Sequence, residues 1–101
     1  MIVFNITTKV DPVIHDAWMQ WQTKMHIPEI MATGLFTDYK FFRLLEQDET
    51  DGITFVLQYI ARNYNDYNKY INDFHRAFQQ KELSKWGHRV VAFHTVMKNV
   101  H

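Results

Sequence analysis

The chain has 101 residues, with 11 Lys and Arg balanced by 11 Asp and Glu, so its net charge is zero with His neutral. A balanced chain has no bulk field to draw in phosphate backbones or anionic membranes, which argues against a nucleic-acid or membrane-surface binder. It contains no Cys, which excludes a disulfide frame, a thiolate metal site and a Cys nucleophile.

Ile2 to Lys9 is rich in β-branched and aromatic residues and predicts a first strand. Asp11-Pro12 then announces a helix, Asp11 as N-cap and Pro12 at the first helical position. Ile14, Trp18, Trp21 and Met25 recur at helical spacing and predict its buried face. Pro28 should bend that helix near His26-Ile27, because its ring clashes with the carbonyl four residues back and it donates no N–H. Glu29 to Thr33 continues for another turn or two, closed by Gly34. Phe36 to Glu46 and Ile53 to Ala61 read as a hairpin around the acidic turn Gln47 to Gly52. Asn65 or Asp66 caps a second helix whose buried face is Tyr67, Tyr70, Ile71, Phe74 and Phe78, running to Trp86 and stopping at Gly87. Val90 to Val100 is the last strand.

The order is β-α-β-β-α-β in one domain, 1–101. It predicts an α+β, ferredoxin-like fold: a four-stranded antiparallel sheet with both helices on one face. Eight Phe, five Tyr and three Trp make the chain apolar for its size, and both parities of its strands carry apolar residues. A solvated sheet face should alternate cleanly. The uncovered face is therefore expected to meet a second copy, giving a homodimer. No apolar run approaches the roughly 20 residues that span a bilayer, and the N-terminus lacks the pattern of a signal peptide. A cytoplasmic protein is the expectation.

The segments Met1 to Asn5, Trp18-Met-Gln-Trp21 through His26-Ile-Pro28, Ala32 to Phe36, Gln58-Tyr59 and Val91 to Thr95 resemble an uncharacterised bacterial family, a domain of unknown function within the dimeric α+β barrel superfamily. The resemblance spans nearly the whole chain. It implies a sheet-to-sheet dimer and implies no reaction, because the superfamily holds monooxygenases, isomerases, haem-degrading enzymes and proteins without known activity. Its haem-degrading members use a first-strand Asn with a Trp and a His from elsewhere. Asn5 matches the first, and no counterpart is found for the others, so no cofactor is expected.

Two amides stand at the middle of the central strands, Asn5 and Gln58. Polar groups among Val, Ile and Phe must either satisfy each other or line a wet pocket. The parity of Ile2, Phe4, Ile6, Phe55, Leu57 and Tyr59 is the more uniformly apolar and suits a dimer seam. That places Asn5 and Gln58 beneath the first helix, where the bend at Pro28 opens a gap. His26, at the bend, reads either as a general base in that gap or as a cap on freed helix carbonyls. Trp21 and Tyr70 would wall the gap, binding a small carbonyl compound that His26 enolises. The six His form no metal-binding spacing, and His26 and Glu29 straddle Pro28, so no metal is expected. His94 reads as a partly buried structural residue; His15, His75, His88 and His101 read as surface residues. Arg43, between Phe42 and Leu44, reads as a dimer-pairing or anion-binding residue. Whether the chain is an enzyme stays open: a small-molecule site and a non-catalytic dimeric structural or regulatory module both fit.

Overall fold

In the computed structural model, which describes residues 1–101, the sheet is built on two nine-residue strands, β1 (Ile2–Val10) and β3 (Ile53–Ala61), paired antiparallel at its centre. β2 (Asp38–Arg43) flanks β3 and β4 (Val90–Lys98) flanks β1, giving the order β2-β3-β1-β4. The ferredoxin-like topology is thus present. The second strand is shorter than its apolar run, because Phe36 leaves the sheet edge to enter the core at 4% exposure.

The first helix runs through α1 (His15–Trp21), a widened π-turn (Gln22–His26) and α2 (Ile27–Met31). Asp11 does not cap α1 itself; its carboxylate accepts the Val13 N–H at 2.9 Å, tying the turn that leads into the helix. Pro28 does not break the helix. In the π-turn the Ile27 N–H reaches back five residues to the Gln22 carbonyl, and this widening makes room for a ring that would clash in regular α register. The extra residue also rotates the rest of the helix. Gln22 and His26 are buried where Met25 was expected, and Met25 is exposed.

The second helix repeats the arrangement: α3 (Tyr64–Tyr70), a π-turn (Ile71–His75) and α4 (Arg76–Trp86). Its cap is Asn63, upstream of the residues expected, accepting the Asp66 N–H at 2.8 Å. Gly87, at φ +60°, ends it.

Alternation along β1 and β3 decides which face the helices cover. Ile2, Phe4, Phe55, Leu57 and Tyr59 are buried under them, joined by Ile27, Ile30, Phe36 and Tyr70. A second cluster, around Trp18, Val10, Ile14, Ile53 and Phe55, closes the other end. The parity expected at the dimer seam is therefore the core, and the expected placement of Asn5 and Gln58 beneath the first helix is overturned. The bulkier parity wins the helices because it removes the larger apolar area from water.

The open face carries Val3, Asn5 and Thr7 on β1, Val56, Gln58 and Ile60 on β3, and Phe42 on β2. Val91, Phe93, Thr95 and Met97 complete it on β4. Phe93 is 62% and Val91 65% exposed, an apolar patch with nothing packed on it. At its centre, Gln58 Nε2 donates to Asn5 Oδ1 at 3.2 Å from the opposed position on the neighbouring strand. Arg43 pairs within the chain, its guanidinium donating to both Glu49 oxygens at 3.0 and 2.7 Å. No helix is long and apolar enough to cross a membrane.

Candidate functional site

The helices lie over β3 and β1 and leave β4 largely uncovered, so a cleft runs between α4 and β4. Its closed end is a cavity of about 60 Å³, lined by Ile6, Ile30, Phe78 and Ala92 with His26, Tyr70, His75, Gln79, Glu82 and His94. Beyond Gln79, Glu82 and Ala92 it opens into a groove of about 240 Å³ that Arg76, Leu83 and Val90 also border. Apolar walls with a few convergent polar groups are the usual make-up of a ligand site.

His26 reaches the cavity because the first π-turn swings it inward. Its ring stacks on Trp21, centroids 4.3 Å apart, and meets the edge of Phe78. Burial pushes its pKa down to about 4; nearby Glu29 opposes this and Lys81 adds to it. The imidazole is accordingly neutral near pH 7, and its buried Nδ1 has no partner. Tyr70, 2% exposed, packs against Phe36, Phe74 and Phe78, and burial raises its phenol pKa.

The second π-turn turns His75 toward the sheet instead of leaving it on the surface. Its ring stands edge-on to His94 of β4, centroids 5.0 Å apart at 86°, and both pack against Phe4. Burial lowers the pKa of each, and His75 is lowered further by the neighbouring His94.

Glu82 carries the cleft's carboxyl group. Its Oε2 accepts the indole N–H of Trp18 at 2.9 Å and the Gln22 amide at 3.0 Å, which ties the two helices together. Burial raises its pKa despite both hydrogen bonds, because no cation is paired with it. The cleft's carboxyl and imidazole groups do not gather into a set of three that could hold a metal ion.

Of the residues singled out in the sequence, His26 and Tyr70 meet in the cavity and Trp21 backs His26. Asn5 and Gln58 lie across the sheet on the open face, so the gap expected to unite them with His26 does not form. Glu82, His75 and His94 also line the cavity and were not singled out as site residues in the sequence. One signal was available: Tyr70, Phe74, Phe78 and Glu82 succeed each other four apart, so an acid continues an apolar stripe.

A family described as a domain of unknown function, DUF4286, matches residues 1–100. No curated protein matches the sequence. Among solved structures, the chain is similar to an ethyl tert-butyl ether D (EthD) family protein from Bacillus halodurans, at TM-score 0.69 and 14% identity, over 99% of this chain and 100% of that one. It is also similar to a dimeric ferredoxin-like protein from an uncultured marine organism, at TM-score 0.69 and 10% identity, over 99% and 95%. A monooxygenase from Streptomyces coelicolor in complex with nanaomycin D matches at TM-score 0.60 and 17% identity, over 99% and 89%.

Proposed function

The chain belongs to the DUF4286 family, and on that footing we propose that it works as a homodimer that binds a small organic molecule in the α4–β4 cleft. The observation that carries this reading is the convergence of His26, Tyr70, His75, Glu82 and His94 on one cavity that opens into a groove. Of these groups only Glu82 is hydrogen-bonded within the chain, and a buried polar group without a partner costs free energy to desolvate. In this reading His26 is a hydrogen-bonding group at the closed end, held by its stack on Trp21 and its edge contact with Phe78. The dimer forms through the open sheet face, with Phe93, Val91, Phe42 and Met97 against their counterparts. Support comes from the ligand-bound monooxygenase and the dimeric protein of similar fold.

A thermal-shift screen of small organic acids, ketones and aromatic compounds tests the cleft, since a ligand of the native state raises the melting temperature by mass action. The reading expects a compound that stabilises the wild type and fails on Leu83→Arg, which crowds the groove. A screen in which every stabilising compound acts equally on both proteins overturns it.

A second reading, a non-catalytic dimeric module, is favoured by one observation. Asn5 and Gln58 satisfy each other instead of lining a pocket. It expects dimerisation without any cleft-dependent stabilisation.

A further inference from the structure

Glu82 takes part in no ion pair, and both of its hydrogen bonds fall on Oε2, leaving Oε1 without a protein partner where the residue borders both cavity and groove. The cavity wall also carries His75 from the second π-turn and His94 from β4, rings 5.0 Å apart. Neither imidazole is bonded to a carboxylate. The groups that face this point are His26 from the first helix, Tyr70, His75 and Glu82 from the second, and His94 from the sheet. Arg76, free of any ion pair, borders the groove outside. Burial acts in opposite senses on the two kinds of group. It raises the pKa of Glu82 and lowers those of the imidazoles, so the two kinds of group titrate closer together than the free side chains do. A carboxyl and an imidazole on one cavity wall with neighbouring titration ranges can exchange protons with a bound compound.

We propose that the cleft catalyses a proton shift in a small enolisable carbonyl compound, with His94 as the base and Glu82 as the acid. The proposal rests on the cleft being a ligand site. His94 takes a proton from the carbon next to the carbonyl. The C–H electron pair becomes a C=C bond, and the carbonyl π pair moves onto oxygen, which takes the proton of Glu82. The product is an enol, with His94 positive and Glu82 negative. Return of a proton from His94 to carbon, and of the enol proton to Glu82, regenerates both groups. Nothing is oxidised or reduced. Phe78 and Ile30 offer apolar surface for the body of the substrate, and Arg76 selects a carboxylate at its other end.

The test measures exchange of the benzylic protons of phenylpyruvate for deuterium in D₂O by proton NMR, alongside melting curves with the same compound. Exchange should run faster than in buffer alone. Its pH profile should be a bell with an acid limb below 6.5, from the lowered imidazole, and an alkaline limb above 4.5, from the raised carboxyl. Glu82→Gln keeps an acceptor for Trp18 and Gln22. His94→Asn changes a residue on an exposed edge strand. Each should slow exchange by about 100-fold while phenylpyruvate still raises its melting temperature. Wild-type exchange in either folded variant overturns the proposal, and so does wild-type protein no faster than buffer. In that last case, a melting temperature still raised by phenylpyruvate leaves the cleft standing as a binding site, and one unmoved counts against both.

Discussion

The imidazole of His26 lies on the indole of Trp21, ring centroids 4.3 Å apart and planes 22° from parallel. The stack covers one side of the ring and Phe78 meets it edge-on, so protonating it in the folded protein means burying a charge.

Stability should therefore fall with acid. The folded-state pKa is lowered from 6.5 to about 4, so the unfolded chain takes up the proton first. The contribution of His26 is complete above pH 6.5 and is lost as pH falls toward 4. Between pH 7 and 4.5 this amounts to about 2 kcal/mol. His75 and His94 act in the same sense. Urea unfolding at the two pH values should show His26→Gln losing less stability than the wild type by about 2 kcal/mol; equal losses would assign the acid sensitivity elsewhere.

Trp18 is 1% exposed, packs on Phe55 at 5.0 Å and donates to Glu82. Trp18→Ala should cost about 3–5 kcal/mol through the cavity it leaves. Trp18→Phe keeps most of the packing and withdraws one donor from the Glu82 side chain, for about 1–3 kcal/mol. Equilibrium denaturation separates the two. Equal costs would mean that the hydrogen bond, not the ring, dominates.

Phe93 stands on the open sheet face at 62% exposure. Sedimentation should give the wild type twice the chain mass of 12.2 kDa and Phe93→Lys the mass of one chain, because an isologous contact brings two new charges together. The wild-type melting temperature should also rise with protein concentration, and that of the variant should not.

Two glycines offer a contrast. Gly34 has φ +75° with open space where a side chain would sit, so Gly34→Ala costs only backbone strain, about 1 kcal/mol. Gly52 has an ordinary φ, and an added Cβ would meet both Cγ and Cε of Lys9 at 2.7 Å. Clearing Cγ takes a change of rotamer at the base of a side chain that is exposed, so Gly52→Ala should cost less than about 1 kcal/mol. Thermal melts of the two variants check the order.

The fold was legible because its signals are local: runs of β-branched and aromatic residues, a Pro near a helix start, glycines at helix ends. The face each strand parity takes was not, because β1 and β3 are apolar on both sides and only the packed helices decide between them. That choice moved Asn5 and Gln58 out of the site. His26 and Tyr70, which line the cavity, stand out in the sequence as a His two residues before a Pro and a Tyr in an apolar stripe. His75 was not singled out because regular helical spacing leaves it at the border of the apolar stripe, four residues after Ile71 and three before Phe78, and the π-turn carries it toward the middle. Glu82 was visible in principle, as an acid in line with Tyr70, Phe74 and Phe78.

Each π-turn closes on a histidine, His26 in one helix and His75 in the other. A π-turn holds one residue more than an α-turn, so it works as a phase shifter along the helix. Removing a residue from either turn would restore the regular repeat and rotate everything beyond it by roughly 100°. A deletion at Lys24 would thereby swing Ile27 and Ile30 off the core as a set, and one at Asp73 would carry Phe78 and Glu82 away from β4. The helices tolerate substitutions at their exposed positions one at a time, but their lengths are locked together with the cleft.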